Sequence, residues 1–412
     1  MTTVPEAPKE SDFAREMRIR SQTEGSVFWI REGQLGVFEA EAAQKIHALD
    51  FGDLTLPDKL EDLLRGRKGE PVSWKNVRAG WLTQMRRLSE AEAVARLADR
   101  MAALLDERLG SPIDLVWAVQ EVFSQSLLPV VVTGLPPADL ARVLRDQHLK
   151  LQRLVAVPPV RDTRWQALRG IWINMGAGLA IRRELRGRAE GRRPRQLDLT
   201  DPIVDLLPAL GIDRAVDAAT GVLTAIAGPP GSAAACLLYE LTRQPEWAER
   251  LTRELQPLAL GDFYAAPTRV APVTHRFVKE TLRMWGPPMF AGRTARTGLQ
   301  LEQARLEKGQ RYVVSPYLIH HDPKHWKDPD TFDPDRWLPE APHGQRSSAS
   351  YVPFGWAPTT CVGAGLGTAQ LMLLCHFMCT RYRLEVHQPE AVRMALFAVA
   401  QPHGFHGTLT RR

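Results

Sequence analysis

The sequence contains little cysteine and no long uncharged apolar run. Its four cysteines lie at scattered positions among 412 residues, which fits a reducing compartment. No stretch of about 18 or more uncharged apolar residues is present, so we expect no transmembrane anchor. The first ten residues also lack the apolar core of a secretory signal. These absences argue against a secreted or membrane-spanning protein.

Aromatic residues are missing from the densest basic cluster of the chain. The formal net charge of +6 would by itself allow a nucleic-acid partner. Without stacking aromatics between the arginines, and without a zinc or helix-turn-helix signature, that class of function is disfavoured. Two glycines and a proline interrupt the cluster, so we predict a solvated loop between helices. The cluster consists of Arg186, Arg188, Arg192, Arg193 and Arg195.

Hydrophobic residues make up 44% of the chain, which is enough to bury a large core. Their spacing predicts mostly helices, including one long buried helix from Ala215 to Thr242. A β-hairpin is predicted over 27–38, around the turn Glu32-Gly33-Gln34. The run 203–207 is too short to assign. The other predicted helices span 40–49, 74–108, 113–133, 138–157 and 162–188; the stretch 51–71 is a Gly/Pro-marked loop, and Pro158-Pro159 separates the last two helices.

One cysteine differs from the other three in its sequence context. Cys361 follows a Pro/Gly-marked loop and precedes Ala364–Leu371, the predicted start of a buried helix. Backbone N–H groups and a helix N-terminus directed at one sulfur favour its thiolate form. Such a thiolate can be the axial ligand of a haem iron. Cys375 and Cys379, at i and i+4 on the same predicted helix, are interpreted as buried apolar residues because nothing completes a metal site there.

The loop around Cys361 resembles the haem-binding loop of the cytochrome P450 family, Phe-x-x-Gly-x-x-x-Cys-x-Gly. Phe354, Cys361 and Gly363 match this pattern, while Ala357 stands where the second glycine usually is. By this resemblance Cys361 is the iron ligand, and Cys236 is not.

Three further elements resemble the same family, in the expected order. Glu280 and Arg283 match its Glu-x-x-Arg helix, in which i and i+3 share a face and a carboxylate holds a guanidinium. Arg336 matches the arginine that joins this pair in a buried cluster beneath the haem. Trp74 and Arg78 match a Trp-x-x-x-Arg element that reaches a haem propionate. The resemblance runs from about residue 27 to the C-terminus and is strongest over 270–385.

The resemblance implies a mainly α fold with a small β region, in which haem b is buried between a long distal helix and the proximal loop and helix around Cys361. One catalytic domain would span 26–412, after a flexible segment over 1–25. The loop 51–71 would roof the substrate pocket, and Pro158-Pro159 would mark a mobile lid. Eukaryotic members usually carry a membrane anchor, so its absence indicates a soluble, cytoplasmic, bacterial-type protein. Its basic charge suits docking of an acidic ferredoxin, which would receive its electrons from a ferredoxin reductase.

The haem contacts depart from the family pattern at one position. Thr359 stands where the family has a His or Arg on a propionate, and it offers a hydrogen bond but no charge. Arg293 matches the family's propionate-binding arginine, so neutralisation would depend on Arg78 and Arg293, with Trp74 donating its indole N–H. His320 or His321 could assist, although at least one of them is expected to be a solvent-facing turn residue.

The long distal helix departs more strongly. Residues 225–232 align with the family's Ala/Gly-Gly-x-Asp/Glu-Thr-Thr segment, and the alignment puts Pro230 at the acid position and Gly231 at the threonine position. The usual pair relays protons to dioxygen, which neither residue can do. Two prolines also remove helix N–H groups, at about 3 kcal/mol each in a helix interior. A kinked helix in which Ser232 or water relays protons is the alternative interpretation.

The pocket and the reaction follow from these assignments. The distal wall is expected from Ala227, Gly228, Pro229, Pro230 and Gly231, facing Pro288, Met289, Phe290 and the turn 398–405. Family members without the acid–alcohol pair include peroxygenases, rearranging enzymes and nitrene-forming enzymes whose substrate carries an N–O leaving group. We therefore expect atypical chemistry, nitrene formation with ring closure or a rearrangement, on a small apolar secondary metabolite. A monooxygenase that uses dioxygen and NAD(P)H with substrate- or water-assisted protonation is the alternative; a peroxygenase or a non-catalytic haem sensor is less favoured.

Overall fold

The protein is mainly helical, as the sequence predicts. The computed structural model describes residues 9–49, 54–55, 74–156, 162–295, 298–341 and 347–412. In this part of the chain the α-helices are α1 Asp12–Thr23, α2 Ala40–Leu49, α3 Trp74–Leu88, α4 Ala91–Asp106, α5 Leu115–Val131, α6 Pro137–Val155, α7 Arg164–Ala189, α8 Asp201–Leu210, α9 Ile212–Ile226, α10 Pro229–Arg243, α11 Pro245–Leu255, α12 Leu260–Ala265, α13 Pro267–Val270, α14 Pro272–Trp285, α15 Pro316–His320 and α16 Ala364–Thr380.

The described strands form small sheets beside the helices. The largest has the order β2-β3-β9-β6-β4; the others are β1-β11-β12, β10-β13-β5 and β7-β8. The predicted hairpin over 27–38 is confirmed as β2 and β3, which pair antiparallel. The strands are β1 Lys9–Glu10, β2 Val27–Arg31, β3 Gln34–Val37, β4 Leu54–Thr55, β5 Pro112–Asp114, β6 Ala291–Ala295, β7 Leu299–Gln300, β8 Arg305–Leu306, β9 Arg311–Val314, β10 Tyr382–His387, β11 Arg393–Leu396, β12 Ala400–His403 and β13 His406–Arg411.

Capping residues explain where several helices begin. The Asp114 carboxylate accepts the Trp117 N–H (3.0 Å) at the start of α5. Thr163 and Gln166 form a reciprocal capping box at the start of α7. Gly211, at φ +73°, separates α8 from α9 in a left-handed conformation that favours glycine. The run 203–207, too short to assign from its pattern, lies within α8.

The N-terminal region differs from its prediction. Residues 9–23 form β1 and α1 rather than a flexible segment, and β1 pairs with β11. Met17 of α1 is fully buried, so α1 is packed onto the domain. The remainder of the predicted segment, residues 1–8, lies outside the described residues, as do most of the expected pocket roof over 51–71 and the Pro158-Pro159 lid.

The basic cluster is a solvated loop only in part: Arg192, Arg193 and Arg195 lie in the loop between α7 and α8, whereas Arg186 and Arg188 lie in α7. Arg188 is buried within α7, where its guanidinium contacts Glu184 (2.8 Å) and Asp198 (2.7 Å). Arg195 lies 2.7 Å from Asp201 and 2.8 Å from Asp205. These arginines are therefore paired with carboxylates within ten residues of them, and the pairs fix the end of α7 to the loop before α8 and to the start of α8.

The long distal helix is two helices. α9 ends at Ile226 and α10 begins at Pro229, with Gly228 (φ −142°, ψ −63°) as the N-cap residue. The prediction of one helix from Ala215 to Thr242 is therefore wrong. The stretch Ile212–Arg243 is long and apolar enough to cross a membrane by length and composition alone. However, 61% of its most apolar window is buried inside the protein, as in the core helix of a globular domain.

Candidate functional site

A tight loop holds Cys361 at the entrance to α16. The Cys361 N–H donates to the Phe354 carbonyl (2.8 Å), and Gly355 turns the chain at φ +77°. Gly363 is the N-cap of α16, and its N–H donates to the Cys361 thiol. The expected direction of backbone N–H groups toward this sulfur is therefore present.

The thiol is subject to opposing electrostatic effects. Desolvation by the surrounding protein raises the pKa of Cys361, whereas the Gly363 N–H and the Arg78 guanidinium lower it. Desolvation is the largest effect, so the free thiol is not a thiolate at neutral pH. Metal coordination deprotonates a thiol, so the N–H and the arginine would stabilise the charge that coordination creates.

Arg78 connects α3 to the cysteine loop. Its Nη2 donates to the carbonyl oxygen of Thr360, next to Cys361 in sequence. Arg293 lies in β6, half-buried, opposite Tyr312 of β9. Trp74 begins α3, but its side chain lies outside the described residues. Binding of haem by Arg78, Arg293 and Trp74 remains a prediction.

Thr359 stabilises the loop itself. Its hydroxyl donates to the Trp356 carbonyl (3.1 Å), an i to i−3 contact within the turn. The hydroxyl is already satisfied locally, so the structure gives no support to a propionate contact from Thr359. Phe354 is half-buried and packs against the main core.

Glu280, Arg283 and Arg336 lie together in a fully buried ion cluster. The Glu280 carboxylate contacts Arg283 (2.8 and 3.0 Å) and Arg336 (2.9 Å). It also accepts hydrogen bonds from the Asp333 N–H and the Trp337 indole, each at 3.0 Å. Such complete hydrogen bonding is what a buried charge requires.

Two histidines belong to the same region, and neither is a solvent-facing turn residue. His320 is fully buried, and its Nδ1 contacts the Arg283 carbonyl (3.0 Å). Its Nε2 accepts the Val352 N–H (2.9 Å), so His320 joins the ion cluster to the start of the cysteine loop. His321, half-buried, packs against Tyr317 with ring centroids 4.2 Å apart and the rings tilted by 39°. Sequence reasoning missed this link because both contacts of His320 are with backbone atoms far along the chain.

The break between α9 and α10 removes the expected cost of the two prolines. Pro229 and Pro230 occupy the first turn of α10, where the missing N–H groups have no helical partner in any case. Ala227 and Gly228 are buried, whereas both prolines are partly accessible. The helix is therefore interrupted, as the pocket prediction requires, but without the interior strain that the sequence suggests.

Gln120 of α5 fills the break, and sequence reasoning did not identify it. With its amide oriented to satisfy both ends, it donates to the Gly228 carbonyl (3.0 Å) and accepts from the Ser232 N–H (3.2 Å) and hydroxyl (2.9 Å). Gly231 lies directly against it, because a Cβ there would be 2.6 Å from the Gln120 Cα. Gly231 and Ser232 thus face α5, which argues against Ser232 as a proton relay and against Gly231 as a pocket wall.

The segment expected opposite the break runs beside β12. The Met289 N–H donates to the Ala398 carbonyl (3.2 Å), and the Cys236 thiol of α10 donates to the Ala400 carbonyl (3.3 Å). Met289 is fully buried. The Phe290 ring contacts Phe13 edge-on at 5.0 Å. The 398–400 turn therefore connects α10 with the segment of Pro288, Met289 and Phe290. The role of these three residues as pocket lining remains a prediction.

The residues around Cys361 fit a haem. Cys361 is the one cysteine of the four that solvent reaches; the others are buried. A methyl group at Gly363 would be 3.8 Å from the Cys361 sulfur, and one at Gly365 would meet no atom within 4 Å, so small residues leave space beside the sulfur. A thiol, one donated N–H and the nearby Arg78 guanidinium suit a haem with anionic propionates.

A mainly helical fold with such a cysteine loop defines the haem-thiolate class of protein. The cytochrome P450 family model matches residues 230–404, which include the α10 start, the ion cluster and the cysteine loop. The fold is similar to the cyanobacterial CYP120A1 with retinoic acid bound (TM-score 0.78, 15% identity, 100% of both chains). It is also similar to a zebra fish cytochrome P450 with progesterone (TM-score 0.75, 19% identity, 97% of this chain and 100% of that one). The chain therefore has the cytochrome P450 fold, and its residues 230–404 match the model of that family.

Curated relatives match over shorter stretches. Cyclooctatin synthase of Streptomyces melanosporofaciens is 36% identical over 121 residues, 29% of this chain and 26% of that protein. The human ultra-long-chain fatty acid omega-hydroxylase is 31% identical over 162 residues, 38% of this chain and 30% of that protein. The aligned regions thus span less than a third of the length of these relatives.

Proposed function

We propose that the protein is a haem b oxidoreductase that modifies a small, largely apolar secondary metabolite and uses an oxidising bond within that substrate. The observation that carries this proposal is the break between α9 and α10, where Pro229, Pro230 and Gly231 carry no side-chain proton and the Ser232 hydroxyl donates to Gln120. Cys361 would hold the haem, and Arg78 and Arg293 would neutralise its propionates. When bound, haem supplies redox chemistry that no side chain of this chain offers.

The hydroxyl and thiol groups near the break are all engaged elsewhere. From residue 220 to 236 the only side chains that carry a transferable proton are Thr220, Thr224, Ser232 and Cys236. Thr220 donates to Val216, and Thr224 donates to Thr220 while accepting from Lys150. Ser232 is held by Gln120, and burial raises the pKa of Cys236 well above its ordinary value. An acid of the usual kind is therefore missing from this wall.

A substrate with its own N–O or O–O bond has no need of that acid. In ring formation from an N–O substrate, the N–O bond and a C–H bond of the same molecule break, the nitrogen forms a bond to that carbon, and the oxygen leaves with its substituent and the hydrogen as a hydroxyl compound. No external oxidant or stoichiometric reductant enters this balance. The secondary-metabolite assignment is supported by the similarity to cyclooctatin synthase over 121 residues.

The second candidate is a monooxygenase that uses dioxygen and NAD(P)H. It is favoured by the similarity to the human omega-hydroxylase over 162 residues. In this case the substrate or a water molecule would supply protons, and a ferredoxin with its reductase would supply electrons in the cytoplasm. The net charge of +6 suits an acidic donor of this kind.

Turnover without dioxygen separates the two candidates. Haem-loaded enzyme is incubated with an N–O-activated intermediate, under argon and in air, with and without reductant or peroxide, and products are identified by mass spectrometry. We expect product under argon without stoichiometric NAD(P)H. Strict dependence on both, with an oxygen atom from labelled dioxygen in the product, would establish the monooxygenase.

A matched variant tests the missing acid directly. Pro230→Asp restores a carboxylate at the second residue of α10, where an acid is favourable for the helix. We expect no gain in rate with the N–O substrate, because general-acid assistance has no step to accelerate. A gain of about 100-fold or more, the usual contribution of a proton relay, would favour the second candidate. The companion change at Gly231 is unsuitable, because a side chain there collides with Gln120.

A further inference from the structure

A partly enclosed cavity lies between α3, α4, α5 and the start of α16. Its volume is about 220 Å³. An engineered protein cavity of about 150 Å³ binds a benzene molecule, so this one has room for an aromatic ring with a small substituent. The apolar side chains in its wall include Leu88 of α3, Leu97 of α4, Val130 of α5 and Leu366 of α16. None of the described residues assigned above to the haem or to the substrate pocket is among those that line it.

The charged residues in the wall of the cavity are both arginines. Arg96 and Arg100 lie one turn apart on α4, and no carboxylate is among the described residues that line the cavity. Arg96 is exposed, and its charge is already matched because its Nη1 lies 2.6 Å from Glu92. Arg100 is half-buried. Its Nε donates to the Ser126 carbonyl of α5 (3.0 Å), and within the described part of the chain it forms no ion pair.

The charge of Arg100 is therefore not offset by the protein around it. Burial and the neighbouring Arg96 charge lower the pKa of Arg100, and the exposed Asp99 raises it by less. Because Nε is bonded to α5, the two Nη groups are the donors that a ligand in the cavity can use. A guanidinium binds a carboxylate through two parallel N–H···O bonds. The apolar wall beside it suits the body of an organic acid, which inorganic phosphate does not have.

We propose that this cavity binds a small organic carboxylate with an aromatic or short aliphatic body, whose charged group pairs with the Nη groups of Arg100. The site is separate from the substrate pocket, and the proposal does not depend on the reaction assigned above. A ligand there would contact Leu366 in the first turn of α16, the helix that follows Cys361. Ser126 also accepts a hydrogen bond from Gln370 of α16 (3.0 Å), so Arg100 is connected to the same helix through α5.

Titration calorimetry with benzoate tests the site. Haem-loaded protein is titrated with benzoate, with benzamide as the uncharged analogue, and with inorganic phosphate. Each titration is repeated with an azole that ligates the haem iron and so blocks the substrate pocket. We expect one site for benzoate, with a dissociation constant on the order of 1 mM or lower, that the azole does not affect. Benzamide and phosphate should bind at least roughly tenfold more weakly, because one lacks the charge and the other lacks the ring.

Variants separate the role of the arginine from that of the cavity. Arg100→Gln keeps a hydrogen-bonding side chain without the charge and should weaken benzoate binding roughly tenfold or more, the usual effect of a charge-assisted hydrogen bond. Ala93→Phe places a ring in the cavity and should abolish binding while Arg100 remains. The matched control is Arg87→Gln, an exposed arginine of α3 outside the cavity wall, which should bind benzoate like the unmodified protein.

Thermal unfolding of each variant shows that it is folded before its binding is compared. Unchanged benzoate binding by Arg100→Gln, or by folded Ala93→Phe, would refute the proposal. The absence of benzoate binding at about 10 mM, well above the expected dissociation constant, would refute it as well. Binding that the azole abolishes would place benzoate in the haem pocket instead. Phosphate binding as tight as that of benzoate would replace the organic carboxylate with a general anion.

Discussion

At the residue scale, the Cys361 sulfur is stable as a thiolate only when a cation at the site offsets the cost of its desolvation. The Gly363 N–H and Arg78 lower the pKa of the thiol, but desolvation by the surrounding protein raises it by more. Cys375 and Cys379 are buried in α16, out of contact with solvent, and desolvation raises the pKa of Cys379 to about 11. A cation at the site is therefore required to make the thiolate, and Cys361 is the residue prepared for it.

Cys361→Ser should abolish thiolate ligation. A serine oxygen is a harder and more basic ligand than a thiolate and does not push electron density to the iron in the same way. The red-shifted ferrous–CO absorption band typical of thiolate-bound haem should disappear. Cys375→Ser in α16 is the matched control and should retain the band. A persistent band in Cys361→Ser would mean that another residue ligates the iron.

Glu280 is the second residue whose role is testable on its own. Its removal leaves the guanidiniums of Arg283 and Arg336 buried without their carboxylate, which typically destabilises a protein by about 3–5 kcal/mol. Glu280→Ala should therefore yield little folded protein, measured by urea unfolding. The control is Glu92→Ala, whose exposed pair with Arg96 should matter by less than about 1 kcal/mol. Equal stability of the two variants would contradict a structural role for the ion cluster.

At the residue scale, local motifs were predictable and distant contacts were not. Glu280 and Arg283 are recognised because i and i+3 of a helix share a face, whatever the rest of the chain does. Gln120 could not be found this way, because it meets Ser232 across 112 positions of sequence. Its contact depends on the crossing of α5 and α10, which no local spacing specifies.

At the element scale, the junction of α9 and α10 shows how a correct signal led to an incorrect element. Pro229-Pro230 indicates that a helix is disturbed, but a proline pair is equally suited to begin a helix. Two residues determine that the helix is interrupted here. Gly228 has a backbone conformation that ends the regular helix, and Gln120 donates a hydrogen bond to the Gly228 carbonyl. The sequence therefore predicts that the helix is disturbed at the prolines, and the packing of α5 against this junction determines that the helix is interrupted.

Gly231→Ala should destabilise this junction. A methyl group would be 2.6 Å from the Gln120 Cα, which is backbone and cannot rotate away, so α5 and α10 must separate. Overpacking of this kind typically lowers the free energy of unfolding by about 1–3 kcal/mol. Gly261→Ala in α12 is the control, because its Cβ meets nothing within 4 Å and alanine favours a helix. Urea unfolding compares them; a Gly231→Ala variant as stable as Gly261→Ala would show that α5 and α10 are not in close contact there.

At the scale of the whole molecule, periodicity predicts the helical class but not which faces remain exposed. The helix over 162–188 is predicted by its apolar pattern and is confirmed, with small shifts, as α7. Its pattern cannot tell a face buried by α6 and α9 from one that faces solvent, because leucine and isoleucine occur on both faces. That distinction depends on the position of α7 at the edge of the domain.

The last prediction concerns the response of the whole fold to acid. Burial keeps His320, His321 and His376 neutral: it lowers the pKa of His321 to about 3 and that of His376 to about 4, and it lowers that of His320 well below its usual value. In the unfolded chain each imidazole binds a proton near pH 6.5. The unfolded state therefore binds more protons below that pH, and stability must fall as the pH falls from about 6.5 toward 4. Each such histidine contributes a slope of up to about 1.4 kcal/mol per pH unit. Urea unfolding at intervals from pH 7.5 to 4.5 measures the slope, and His376→Asn should reduce it. A stability that stays constant or rises toward pH 5 would mean that these imidazoles are protonated in the folded protein.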